Sequence, residues 1–220
     1  MRVDLHVHTQ YSIDSRITPK TLIKVARVKG VHGIAVTDHN TIRGGQDAKF
    51  HSQQDFLVII GSEIKTTVCE IIGLFLHENI DSTDPYKVLD AIHDQNGISV
   101  LPHPYRYLQT TSFPQDFLRL IDVVEGYNSR TQHRKNQQAV DLASSTNKPI
   151  CAGSDAHFYQ EIGRATTIFP DIVTTEDAIR KALLNREVST EIIDNNYLLA
   201  APYIVLSGVY GRIRHVFDSQ

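Results

Sequence analysis

His6 and His8 alternate in Asp4-Leu5-His6-Val7-His8-Thr9. On an extended strand that spacing sends both imidazoles out of one face. Two neutral imidazoles side by side can chelate a single borderline metal ion. Asp155 and His157 repeat the spacing in Gly153-Ser154-Asp155-Ala156-His157. Between the two pairs stand Asp14 in Ser12-Ile13-Asp14-Ser15, His39 in Thr37-Asp38-His39-Asn40, Glu63 in Gly61-Ser62-Glu63 and His103 in Pro102-His103-Pro104. Taken singly, each reads best as a capping aspartate, a turn residue or a satisfied histidine. Taken together they do not, because five times a metal-type ligand stands where an apolar run stops. His93 and His133 fall in helix-like stretches and read as surface residues.

The apolar runs that end in these residues read as strands: Arg2–Leu5, Gly33–Thr37, Phe56–Gly61, Ile98–Leu101, Asp122–Glu125, Pro149–Ala152 and Ala165–Phe169. A hairpin is expected within Thr66 to Leu76. Thr18-Pro19 opens a helix that Gly30 stops, and Ser82-Thr83-Asp84-Pro85 opens another that Gly97 stops. Gln132–Thr146 and Thr175–Leu184 complete the helices of this part of the chain. Strands alternating with helices predict an α/β fold, a parallel sheet covered by helices. Such folds carry their function at the C-terminal ends of the strands. Near the end, Leu206, Val209, Ile213 and Val216, widened by Tyr210 and Phe217, describe an amphipathic helix. Packing on its own domain is the expected role, with a dimer contact as the second reading.

The 220 residues, 41% of them hydrophobic and 21% charged, suit one globular domain. A formal net charge of −3 gives no global basic field for nucleic acid or an anionic membrane. Cys69 and Cys151 are the two cysteines, which excludes a disulfide framework and a thiolate zinc site. The N-terminus lacks the pattern of a signal peptide, and apolar stretches such as IIGLFL are too short to span a bilayer. The expectation is a cytoplasmic protein, monomeric or homodimeric. No GxSxG elbow, P-loop or GxGxxG occurs.

The segments DLHVHTQYSIDS, TDHN, GSEI, LPHP and GSDAH resemble the successive motifs of the PHP (polymerase and histidinol phosphatase) superfamily, in the family's order from about Arg2 to Ala165. The resemblance implies a distorted seven-stranded β/α barrel over residues 1–195, followed by the helical tail at 196–220. It implies three divalent ions (Mn²⁺, Zn²⁺ or Fe²⁺) held by His6, His8, Asp14, His39, Glu63, His103, Asp155 and His157, with Glu63 bridging. The family commonly places a further histidine at the head of a segment like HILGL. Here the matching segment is Glu70-Ile71-Ile72-Gly73-Leu74, which assigns the position to Glu70. His77, at the other end of that segment, is the competing candidate. Seven residues separate the two, so on a regular strand they face opposite ways.

The activity implied is hydrolysis of a phosphate ester, of a small molecule or a nucleotide, by a metal-bridging hydroxide. Glu63, Asp155 and His157 stand at its centre, while Asp38 and Asn40 would orient the ligands. A phosphate monoester also needs a cationic clamp, and guanidinium binds phosphate in bidentate fashion. Arg130, Arg106 and Arg164 each follow a motif, with Arg130 the first choice. An accessory or structural PHP module and a hydrolase of C–N bonds are the alternatives.

Overall fold

The computed structural model describes residues 1–52, 56–106, 113–171, 173 and 175–193. The tail helix expected around Leu206 to Phe217 lies outside the described residues. Nine strands are described: β1 Arg2–Val7, β2 Gly33–Val36, β3 Leu57–Lys65, β4 Glu70–Leu74, β5 Ile98–Leu101, β6 Val123–Asn128, β7 Ile150–Gly153, β8 Ala165–Ile168 and β9 Ser189–Ile192. Six helices accompany them: α1 Pro19–Val28, α2 Arg43–His51, α3 Pro85–Asp94, α4 Gln115–Leu120, α5 His133–Ser145 and α6 Glu176–Leu184. No helix of the described residues is long and apolar enough to cross a membrane.

The helices start where side-chain caps dictate. Thr18 accepts from Thr21 N, Asp84 from Tyr86 N and Lys87 N, and Thr175 from Ala178 N, with proline following the first two caps. α3 stops at Asp94, and Asn96 rather than Gly97 takes the positive φ, at 52°. Asparagine tolerates that conformation better than most side chains.

All nine strands form one sheet, in the order β7-β6-β5-β4-β3-β2-β1-β8-β9. The fold is α/β, but the sheet is mixed where a parallel one was expected. β1, β2 and β3 run parallel, as do β5, β6 and β7. β4 is antiparallel to both its neighbours, and β8 to β1 and β9. The turn between Lys65 and Glu70 is too short for a parallel crossover, so a hairpin is the only connection it permits.

The curled sheet nearly closes on itself. Just past β7, Asp155 N donates to His6 O at 2.7 Å and His8 N to Ala156 O at 2.9 Å, laying this segment along β1. Around the barrel, Leu22, Ile23 and Ala26 of α1 pack with Val7, Ile34 and Val36. Val88, Leu89 and Ile92 of α3 and Phe117 of α4 pack with Ile71. Ile179 and Leu183 of α6 pack with Val3, Leu5, Ile59 and Val123. Burial of these apolar faces holds the strand ends, and hence their side chains, in fixed relation.

Candidate metal centre

His6 and His8 leave β1 on one face, with their Nε2 atoms 3.1 Å apart. Both Nδ1 atoms are engaged behind them. His6 Nδ1 lies 2.9 Å from Glu125 Oε1 and His8 Nδ1 lies 3.2 Å from Ser12 Oγ. Ser12 Oγ donates to Asp38 Oδ1 at 2.6 Å and accepts from His39 N at 3.1 Å. A Nδ1–H held in this way leaves Nε2 as the lone-pair atom. Two lone pairs so close repel unless a cation, proton or metal, is shared between them.

Glu63, from β3, faces this pair. Its Oε1 lies 3.0 Å from His103 Nε2 and 3.5 Å from His6 Nε2. Its Oε2 lies 3.2 Å from His39 Nδ1 and 3.4 Å from His8 Nε2. Asp155 Oδ1 sits 3.3 Å from His8 Nε2 and 3.4 Å from His157 Nδ1. Asp14 Oδ2 is 3.0 Å from His157 Nε2, while its Oδ1 is buried with no hydrogen-bond partner among the described residues.

Glu70 opens β4, which runs antiparallel, so its N-terminal end reaches the cluster. Its Oε2 lies 3.8 Å from His103 Nε2. His77 is exposed and lines a cavity with Phe75, His93 and Arg180 beyond the other end of β4. All nine residues implied as ligands therefore gather in one place, and His77 stands apart.

The backbone is bent to bring them there. His103, between two prolines, has φ 28°, and Asp155 has φ 55°. Such values cost side-chain-bearing residues free energy and persist where the surroundings hold them. Gly153 precedes Asp155, and a Cβ there would fall 2.3 Å from His6 Cβ. Only glycine lets β7 approach β1 this closely.

Burial and mutual charge set the protonation states. Burial, aided by His157 and His39, pushes His8 down to about 3, so it stays neutral and free to coordinate. Burial opposes a charge on His39 too, yet Asp14, Glu63 and Glu70 raise it to about 9. His6 is likewise raised well above the imidazole range, against its burial, by Asp155, Glu125 and Glu63. Burial alone would raise Glu63, but His6, His103 and His39 hold it well below the carboxylate range. Glu70 is raised by the like charge of Glu63 and by burial. Protons on these imidazoles thus balance the carboxylates.

Divalent ions fit the same donors. Four triplets have donor atoms within 4.8 Å of one another: His8, His39 and His157; His6, His103 and Asp155; His6, His8 and Glu63; His39, Glu63 and Glu70. The triplets share His6, His8, His39 and Glu63, so their donors form one continuous cluster. Imidazoles and carboxylates without thiolates suit borderline to hard ions.

Several supporting residues escaped the sequence reading. Glu125, on β6, holds His6 with one oxygen and accepts from His103 N (2.9 Å) and Asn128 Nδ2 (3.0 Å) with the other. Asp4 is fully buried and accepts from Ser154 N, Ser154 Oγ and Gly163 N, which anchors the loop carrying Asp155; its burial raises it to about 6. Each is an acid inside an otherwise apolar strand, and that was the available signal. Asp38 reaches the cluster through Ser12, as above. Asn40 instead ties strands together, its N–H donating to Glu63 O and its Oδ1 accepting from Lys65 N at 3.0 Å.

The three arginines occupy different places. Arg106 donates to Asp155 Oδ2 and Asn128 Oδ1 through Nη2 and to Thr131 Oγ1 through Nε, with its side chain 17% exposed. Arg130 is 5% exposed, donates to His157 Nδ1 and lies 3.5 Å from Glu161 Oε1. Arg164 lies near Lys29, whose pKa is lowered by burial and, after it, by the charge of Arg164. That ammonium donates to the carbonyls of Tyr159, Gln160 and Ile162.

The comparisons agree with this geometry. A family model described as PHP-associated matches residues 133–188. The chain is 40% identical over 141 residues to the uncharacterized protein MJ1587 of Methanocaldococcus jannaschii, covering 59% of this chain and 82% of that one. It is 34% identical over 196 residues to MJ0417 of the same organism, covering 84% of this chain and 78% of that one. A solved two-domain protein of Bacteroides vulgatus, described as containing a predicted PHP-like metal-dependent phosphoesterase, superposes with TM-score 0.76 at 20% identity. The chain belongs to the PHP superfamily. The superposition covers 87% of this PHP chain and 64% of the two-domain protein, so the chain spans under two thirds of that protein. At that identity the likeness concerns the fold.

Proposed function

We propose that this PHP protein is a metal-dependent phosphoesterase acting on a small-molecule phosphate ester or a nucleotide. Three divalent ions would be held by His6, His8, Asp14, His39, Glu63, Glu70, His103, Asp155 and His157. The observation that carries the reading is Glu63, whose two oxygens meet four imidazoles from three separate segments. A carboxylate so placed could serve more than one ion, with a different oxygen turned to each. When bound, the metals polarise phosphoryl oxygens and lower the pKa of water at the site.

The chain's own residues supply the rest. Glu125 and Ser12 fix the tautomers of His6 and His8. Asp4 fixes the loop that carries Asp155. Arg106, at the rim, is the guanidinium best placed for a phosphoryl oxygen. Arg130, beneath His157, holds that imidazole in orientation. The accessory-module reading is disfavoured because every ligand position carries a donor, and the arginine at the rim favours phosphate over a C–N bond.

Hydrolysis of a panel of sugar phosphates, nucleotides and phosphodiesters by Mn²⁺- or Zn²⁺-reconstituted protein tests the proposal. Turnover of at least one ester, abolished by chelation, is expected. A protein that binds no transition metal, or hydrolyses none of the panel when loaded, would remove it.

A further inference from the structure

β3 continues past Glu63, and Lys65 is the next residue on the same face. Lys65 pairs with Glu70 across the hairpin, so these two side chains also leave on one side of the sheet. Lys65 therefore stands at the rim of the cluster, about 7 Å along the strand from Glu63. The bond from its N–H to Asn40 Oδ1 ties this rim to the segment carrying His39. Among the described residues its ammonium enters no ion pair, unlike the arginines at the cluster.

Lys65 also lines a cavity of about 680 Å³ between the β3–β4 turn and the loop at 79–83. Thr67 and Thr83 line it together with Thr66 and Ser82, whose hydroxyls also bond within their own turns, and Asp81 is the acid of its wall. We infer that this cavity receives the alcohol part of the substrate, and that Lys65 selects alcohols carrying a second anionic group. The inference rests on the phosphoesterase reading. With the scissile phosphate at the metals, the alcohol must point out past the rim. Hydroxyl-bearing walls exchange hydrogen bonds with a hydroxylated alcohol where apolar walls would not. An anion on the strand side meets Lys65, while Asp81 repels it from the loop side.

Fructose 6-phosphate and fructose 1,6-bisphosphate share one skeleton and differ by a second phosphate. The Mn²⁺-loaded protein is expected to prefer the bisphosphate in kcat/KM. Lys65→Ala should lower that preference about tenfold, through KM rather than kcat, which is the size of one charge-assisted hydrogen bond. Lys65→Arg should restore most of it, and Asp81→Asn should increase it. Ligand-induced Tm shifts with each sugar read binding without turnover. A larger shift with the bisphosphate, erased by Lys65→Ala, supports the assignment. Equal effects of Lys65→Ala on both sugars, or none, overturn it and leave the phosphoesterase reading intact. Failure to hydrolyse any ester when metal-loaded sinks that reading, and the Tm shifts then still decide whether Lys65 selects the second anion.

Discussion

Glu125 and His6 are 119 positions apart in the chain, yet Glu125 Oε1 lies 2.9 Å from His6 Nδ1. The same carboxylate accepts the backbone N–H of His103, so one buried acid holds one imidazole directly and fixes the backbone that carries a second. Glu125→Gln keeps the shape but replaces one acceptor oxygen with a donor that cannot serve both neighbours. Metal affinity should fall by about 10- to 100-fold, the usual cost of losing such a partner. Titration of the metal-free variant with Mn²⁺ measures it, and an unchanged affinity would leave Glu125 with a packing role only.

Purified protein should carry more than one equivalent of transition metal, because the donor triplets share members. Glu70→Ala should lower the stoichiometry or weaken the last ion bound, whereas His77→Ala should change neither. Elemental analysis of the two variants side by side decides between them. In a metal-loaded crystal structure, an oxygen of Glu70 is expected within roughly 2.0–2.4 Å of an ion. A coordinated His77 would reverse the assignment.

Protonation gives a test on stability. In the metal-free protein His39 is raised to about 9, above its ordinary 6.5. A raised imidazole contributes stability that is fully present below 6.5 and lost as pH rises through 9. Metal-free protein should therefore lose roughly 5–10 °C of Tm between pH 6.5 and 9. Ions in the site take over the role of those protons and bind better as they leave. The Tm gap between loaded and metal-free protein should widen over that range. Calorimetry with and without EDTA reads it, and a constant gap would mean that His39 does not exchange a proton for a metal.

The strand ends were legible because a donor stood at the close of five of the apolar runs, and those donors are among the residues that gather. What supports them was harder to see. Glu125 and Asp4 sit within strands, where a single acid looks like an interruption until its partners are known. α2 was not foreseen, since two glycines in its first turn carry poor helix propensity. A Cβ on Gly44 would fall 1.8 Å from Asp38 Oδ2 and 2.4 Å from Thr9 Oγ1, so the glycine answers to a close approach rather than to a turn. α4 is six residues long and β9 alternates exposed and half-buried positions, so neither announces itself by an apolar run. The hairpin at β4 was legible because its connection to the third strand is so short, whereas nothing in the apolar run of β8 shows that it turns antiparallel to β1.

Arg106 and Arg130 differ in what they touch, and kinetics can separate them. Read from sequence, both follow strand-end motifs and either could clamp a phosphate. In the structure Arg106 reaches Asp155 Oδ2 from the rim with part of its side chain in solvent, and Arg130 is buried against His157 and Glu161. A residue that meets the substrate changes KM in proportion to the charge it meets, whereas one that holds a ligand changes the site itself. Arg106→Ala should raise KM for a monoester about tenfold and for the matching diester less, since the monoester carries more charge. Arg130→Ala should lower kcat for both esters alike and weaken metal binding. Steady-state kinetics on a monoester and diester pair, together with metal titration of each variant, distinguishes the roles. A charge-selective KM effect from Arg130→Ala, with metal binding intact, would return the clamp to Arg130.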